Sequence, residues 1–224
     1  MNEAAHMNET WMDVSDWQDT LFTWPFFKQE VKLILLDFSQ KVHLHGPAEN
    51  VDVVTLDGNV AKLLDFSKHE DRPLVVNFGS CTWPPFMAKF GEFCNVASSF
   101  APVADFVTVY IEEAHAADGW AFNNNVSINK HCQIEDRISA AKRLLEHKPT
   151  FPIVCDGMNE EANFTYGGLY ERLYIIHRGK IAYQGGRGPR LYFLKEVVEW
   201  LENYRSLEKA KESPKQSALQ VAAA

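Results

Sequence analysis

The sequence predicts an α/β protein, on three observations. Residues 74–78 (LVVNF) and 106–111 (FVTVYI) are continuous β-branched and aromatic runs, the mark of strands buried on both faces. Helical patterns follow each run, over 84–100 and 134–147, so the order is β–α–β–α. Two further apolar runs, 173–177 and 181–184, flank Arg178-Gly179-Lys180 and read as a hairpin.

Taken in order, residues 1–45 form an aromatic-rich N-terminal extension. Trp11, Trp17, Phe22, Trp24, Phe26 and Phe27 lie in it, and residues 17–36 can form one amphipathic helix or two, broken at Pro25. Residues 51–56 alternate and run into Asp57-Gly58-Asn59, a strand and a tight turn. The helix from Pro84 starts with proline where a missing amide donor does no harm. After the strand at 106–111 comes a long Asn- and Gly-containing loop, 112–131. The helix over 134–147 places Ile134, Ile138, Ala141, Leu144 and Leu145 on one face. A short strand at 152–156, the hairpin, and an amphipathic helix over 192–204 complete a domain spanning 46–206. Residues 207–224 read as a flexible tail. Each β–α–β unit implies a right-handed parallel crossover, and the hairpin adds an antiparallel edge. The expected architecture is a thioredoxin-like fold, with a mixed, mostly parallel sheet flanked by helices.

Composition narrows the function. The 224 residues carry 22 basic and 30 acidic side chains, a net charge of −8, with no basic run to bind a phosphate backbone, so no nucleic-acid partner is expected. The most apolar stretch, residues 21–38, is interrupted by Lys28, Glu30, Lys32 and Asp37 and is too polar for a membrane span. A secretory leader is not apparent. Cys81, Cys94, Cys132 and Cys155 form neither a CxxC pair nor a zinc pattern, so reduced thiols in a soluble, intracellular protein are expected and no metal site is. Cys94 and Cys155 read as small buried hydrophobes, and Cys132 as an exposed thiol.

In an open α/β sheet, ligands gather where the parallel strands end and helices begin. The first such loop is Asn77-Phe78-Gly79-Ser80-Cys81-Thr82-Trp83-Pro84-Pro85-Phe86. An anion here is stabilised by the helix N-terminus, which lowers the pKa of a thiol or selenol. A thioredoxin-type C-x-P-C nucleophile would fall at Trp83, and the second cysteine at Phe86. Neither can attack, and Cys81 is the only sulfur in the loop.

Four motifs in order carry a resemblance. They are NFGSCT-x-PPFM (77–87), YIEEAH-x-x-DGW (110–120), the block of His131, Glu135, Asp136 and Arg137, and ERLY…YQGGRGP (171–189). Over residues 45–205 the chain resembles the iodothyronine deiodinases, most closely their type 3, inner-ring branch. Where that family carries selenocysteine this chain has Trp83. Selenocysteine is encoded by UGA, which some genetic codes read as Trp, so residue 83 is read as a recoded selenocysteine. The alternative is a genuine Trp that fills the pocket mouth. The family also has a membrane span ahead of its catalytic domain, and none is found here. Either the true start lies upstream or the chain is a soluble relative.

The resemblance implies reductive deiodination of thyroxine-type iodothyronines and assigns roles. Residue 83 is the nucleophile, Cys81 the resolving thiol, and Glu113, Tyr110 and His131 a proton path. His115 grips the phenolic end of the substrate and Arg187 its amino-acid carboxylate. Ser80 and Thr82 hydrogen-bond the selenolate. Expected partners are the iodothyronine and a thiol reductant (thioredoxin-like, glutathione-like or a dithiol) as co-substrate. No bound cofactor is expected, and a homodimer is left open. Two other readings stand beside this one: a catalytically inactive iodothyronine-binding protein with Trp83 genuine, and a thiol peroxidase using Cys81.

Overall fold

The computed structural model describes residues 22–222 apart from residue 70, with side chains as far as residue 210. Helix α1 (Trp24–Ser39) precedes a hairpin of β1 (Asp52–Thr55) and β2 (Val60–Lys62). Strand β3 (Leu74–Gly79), helix α2 (Pro84–Phe100), β4 (Asp105–Tyr110), α3 (Ile134–Ala141) and β5 (Ile153–Asp156) form two successive crossovers. A short α4 (Glu161–Tyr166), the hairpin of β6 (Arg172–His177) and β7 (Lys180–Gln184), and α5 (Leu194–Ala222) follow.

The seven strands make one sheet in the spatial order β2-β1-β5-β4-β3-β6-β7. Strands β3, β4 and β5 are parallel, while β1 joins β5 and β6 joins β3 antiparallel. This is the thioredoxin-like fold that the element order predicts. The expectation of a mostly parallel sheet is corrected: the parallel part is confined to the central three strands. Both two-stranded hairpins reverse direction through tight turns, so each adds antiparallel pairs at its edge.

Every residue of β3 and of β4 is buried, Asn77, Asp105 and Thr108 included, as the largely apolar strands of a sheet centre are. Helix α2 buries Phe86, Phe90, Phe93, Cys94, Ala97 and Phe100, a stripe at helical spacing. Each phenylalanine fully removed from water contributes about 1.5–3 kcal/mol. Helix α2 packs against α5 and against the 3₁₀ turn after α3, and α1 packs against α4.

Several boundaries differ from expectation. Residues 51–56 prove to be the first arm of a hairpin, because Gly58 at φ +83° turns the chain back into β2. Pro25 does not break a helix; it opens α1, where Thr23 caps the first turn by accepting from the Phe26 amide at 3.4 Å. Trp11, Trp17 and the start of the expected helix lie outside the described residues. The helix over 134–147 is α3 followed by a 3₁₀ turn, Lys142–His147. The closing helix runs on to Ala222, through the strong helix formers Leu207-Glu208-Lys209-Ala210 that composition assigns to a flexible tail. Only Leu36 of α1 is fully buried; Trp24, Phe27, Val31, Ile34, Leu35 and Phe38 are exposed. No helix among the described residues is long and apolar enough to cross a membrane.

Candidate active site

Strand β3 ends at Gly79, where a side chain is sterically excluded: a Cβ there would lie 2.2 Å from the Phe86 ring. The chain then turns through Ser80, Cys81 and Thr82 to Trp83, the N-cap of α2. Pro84 and Pro85 have no N–H, and the Phe86 and Met87 amides both return to the Trp83 carbonyl, at 3.1 and 3.2 Å. A chalcogenolate at position 83 would therefore feel the helix dipole without a direct amide hydrogen bond from the first turn.

A second loop, following β4, clasps the first. Thr82 donates its amide to Glu113 Oε2 at 3.0 Å and its hydroxyl to the same oxygen at 2.6 Å. Tyr110 donates its hydroxyl to Glu113 Oε1 and accepts the Cys81 amide at 3.0 Å. Ser80 Oγ accepts the Ala114 amide at 3.3 Å, and Thr82 Oγ1 accepts the His115 amide at 3.1 Å. Both hydroxyls are fully buried. Burial pushes the Glu113 carboxyl up, but the adjacent His131 ring and the hydrogen bonds from Thr82 and Tyr110 outweigh it and hold the group below its usual range.

His131 lies with Nε2 3.3 Å from Glu113 Oε1, close enough to pair, although the ring N–H is not aimed along a hydrogen bond. Its Nδ1 accepts from Arg137 Nε at 3.2 Å, which places the proton of the neutral ring on Nε2, facing Glu113. Arg137 is itself buried and donates to the Asp156 and Gly157 carbonyls. Tyr110, Glu113 and His131 are thus brought together as the motifs imply. Glu113 and His131 line a cavity of about 390 Å³ that Trp24 and Gln29 of α1 also line.

Position 83 faces a different set of groups. The Trp83 indole stacks on Tyr170, at a centroid distance of 4.6 Å, and on His115, at 5.4 Å, and those two rings are 6.1 Å from one another, so the three form a triangular cluster. His115 also stacks on Phe122 and is only 1% exposed. Its Nδ1 hydrogen-bonds the Trp120 carbonyl at 3.0 Å, which makes Nδ1 the protonated nitrogen, and Nε2 has no partner among the described residues. Burial pulls the His115 pKa down to about 4, with the Trp120 carbonyl opposing. A neutral ring with a bare Nε2 lone pair accepts a hydrogen bond from a phenol hydroxyl; it has nothing to donate to a phenolate.

Glu171, outside every role drawn from the motifs, is fully buried, and neither carboxylate oxygen has a hydrogen-bond partner among the described residues. It packs against Gly188, where a Cβ would come within 2.2 Å of Glu171 Cγ. Burial pushes its carboxyl up to about 7, opposed by Lys89 and by the nearby Trp83 indole N–H. Its place in ERLY, at the start of a strand, gave no hint that it would face inward unpaired. Tyr170 and Asn125 (which donates to the Thr82 carbonyl at 2.8 Å) are further neighbours that pattern reading passed over, and Arg137 stands in a motif but is given no role by it.

The remaining site residues stand apart. Arg187 holds Asp37 of α1 through both terminal nitrogens, at 2.6 and 3.3 Å, and its Nε is buried without a partner among the described residues. Cys81 is buried, with its thiol against the Ala140 carbonyl of α3 at 3.7 Å, and burial pushes it up to about 11. Cys94 and Cys155 are buried and Cys132 exposed, all with free thiols. Among the described residues no cluster of side chains is arranged to hold a metal.

Comparison with known proteins agrees with the motifs. The family model for iodothyronine deiodinase matches residues 4–205. The chain is 40% identical to the type I iodothyronine deiodinase of Xenopus laevis, over 89% of this chain and 79% of that one. It is 44% identical to the thyroxine 5-deiodinase of Gallus gallus, over 76% and 67%. Among solved structures, a peroxiredoxin-like protein from Aquifex aeolicus is 16% identical, with a TM-score of 0.49 over 73% of this chain and 88% of that one. On the family match and on the identity to these relatives, the chain belongs to the iodothyronine deiodinase family.

Proposed function

We propose that this chain reductively deiodinates thyroxine-type iodothyronines, with residue 83 a selenocysteine read as Trp. The observation that carries the reading is the placement of position 83 at the N-cap of α2, where the side chain present lies against His115, whose Nε2 has no partner among the described residues. In the reaction the C–I bond breaks, iodine passes as I⁺ to the selenolate, and the ring carbon takes a proton. Two thiols then return the selenenyl iodide to selenol, leaving a disulfide and iodide. Glu113, Tyr110 and His131 form a buried proton relay, His115 accepts from the phenol, and Arg187 takes the carboxylate. The similarity to thyroxine 5-deiodinases supports the inner ring as the one attacked.

The reductant on this reading is a thiol co-substrate. Cys81 serves as resolving thiol only after leaving the Ala140 carbonyl and losing a proton that burial holds tightly. The same burial gives a peroxidase reaction at Cys81 no support. The test has two parts. The peptide of residues 78–89 from naturally made protein should show a selenium isotope pattern, and the selenocysteine form with thyroxine and a dithiol should release iodide. A tryptophan mass, or iodide release no faster than a thiol blank, rejects the proposal.

One observation favours a second reading. The Trp83 indole is only 9% exposed and packs against both Tyr170 and His115, as a genuine core tryptophan would. The chain would then bind an iodothyronine carboxylate through Arg187 without turning it over, and Arg187→Ala should weaken binding in calorimetry.

A further inference from the structure

Helix α1 reaches both ends of the candidate site. Near its N-terminus Phe26 meets the edge of Trp120 at 5.3 Å, and Trp120 in turn meets His115 at 4.5 Å. In its middle Lys32 bridges Glu112 and Glu160, the latter at 2.9 Å. Near its C-terminus Asp37 holds Arg187 in a two-pronged pair. Yet the helix is weakly seated: Leu36 is its one fully buried side chain, and its apolar stripe faces outward.

The Asp37–Arg187 pair has the geometry of a guanidinium binding a carboxylate ligand, with one Nη on each oxygen. The Asp37 side chain is 60% exposed and that of Arg187 23% exposed, so water and salt screen the pair, and such pairs are individually weak. A carboxylate arriving on a ligand that also stacks in the site makes the same two hydrogen bonds and adds apolar contact. It would therefore displace Asp37.

We propose that Asp37 is an internal competitor for the carboxylate place on Arg187, and that α1 is a strap that must release Arg187 before an aromatic amino-acid ligand can seat. This rests on the reading of Arg187 as the carboxylate clamp. The free chain holds the clamp filled, and the affinity for a carboxylate ligand is reduced by the fraction of molecules in which Asp37 is released. Ligands without a carboxylate do not compete with Asp37 and escape the penalty.

The test is calorimetric titration of the whole chain, Asp37→Asn and Arg187→Ala with thyroxine and with its decarboxylated amine analogue. If Asp37 fills the clamp about four-fifths of the time, Asp37→Asn tightens thyroxine roughly fivefold and leaves the amine analogue unchanged. Amide exchange over residues 24–39 should also quicken when thyroxine saturates the unaltered chain, as the strap lets go. Equal thyroxine affinity in the chain and Asp37→Asn, with weaker binding in Arg187→Ala, overturns the competitor while leaving the clamp. Thyroxine binding that Arg187→Ala does not weaken, or no binding to any of the three, overturns both.

Discussion

Thr82 gives its amide and its hydroxyl to one oxygen of Glu113, at 3.0 and 2.6 Å, and its hydroxyl oxygen accepts the His115 amide in return. One side chain from the loop after β3 thus fixes both an acid and a base from the loop after β4. The relay around Glu113 and the stacked pair at Trp83 are held to one another through Thr82. A shift of the 80–83 turn would disturb both.

Thr82→Val removes that hydroxyl at nearly constant shape, leaving Glu113 Oε2 one donor short and the His115 amide without its acceptor. Removing a buried hydrogen-bond partner costs about 1–3 kcal/mol, and Thr82→Ser should recover most of it. Denaturant unfolding of the three proteins measures this. Glu113 has a folded pKa below its unfolded value, so its contribution is complete above the ordinary carboxyl range and is lost as pH falls through the folded value. The Thr82→Val deficit should therefore shrink in acid. A deficit independent of pH, or none at all, would remove Thr82 from its place as the clasp.

His115 should titrate far from an ordinary histidine. Its ring C–H resonances should move with a midpoint at about 4. The unfolded chain takes up the His115 proton near pH 6.5 and the folded chain only near 4. Stability linked to this group is complete above pH 6.5 and drains away as pH falls toward 4. A midpoint near 6.5 would mean a solvated or charged ring, and the lone pair offered to a phenol would be lost with it.

The central strands were legible because LVVNF and FVTVYI are apolar at all but one position each, Asn77 and Thr108, a pattern that a doubly covered strand favours. The edges were harder. Strand β2 is three residues long and partly exposed, so its sequence carries almost no periodicity. The acids and bases of the 110–137 region could be named from motifs, but their partners could not. That Arg187 would meet Asp37, 150 residues away, depends on how α1 lies across the sheet edge, which no local pattern encodes. Glu171 was missed for a related reason. Glutamate is rarely buried without a partner, so sequence reasoning places it in water.

Glu171 carries the clearest signature of that unusual burial. Its carboxyl is pushed up from 4.5 to about 7. Between those values the folded chain keeps a proton that the unfolded chain has released, so stability falls as pH rises through this window and stays lower above it. A shift of this size corresponds to something on the order of 3 kcal/mol. Glu112 and Asp156, raised to about 7 and about 6, act in the same window, so the pH profile of the unaltered chain does not isolate Glu171. The difference between Glu171→Gln and the unaltered chain does. An amide cannot ionise, so Glu171→Gln should gain relative stability steadily from pH 4.5 to 8 and then hold it. A difference that stays flat across that range would show Glu171 ionised at neutral pH, with a partner or water supplied to it. A rising difference would leave beside position 83 a carboxyl that still holds a proton in a substantial share of the molecules at neutral pH.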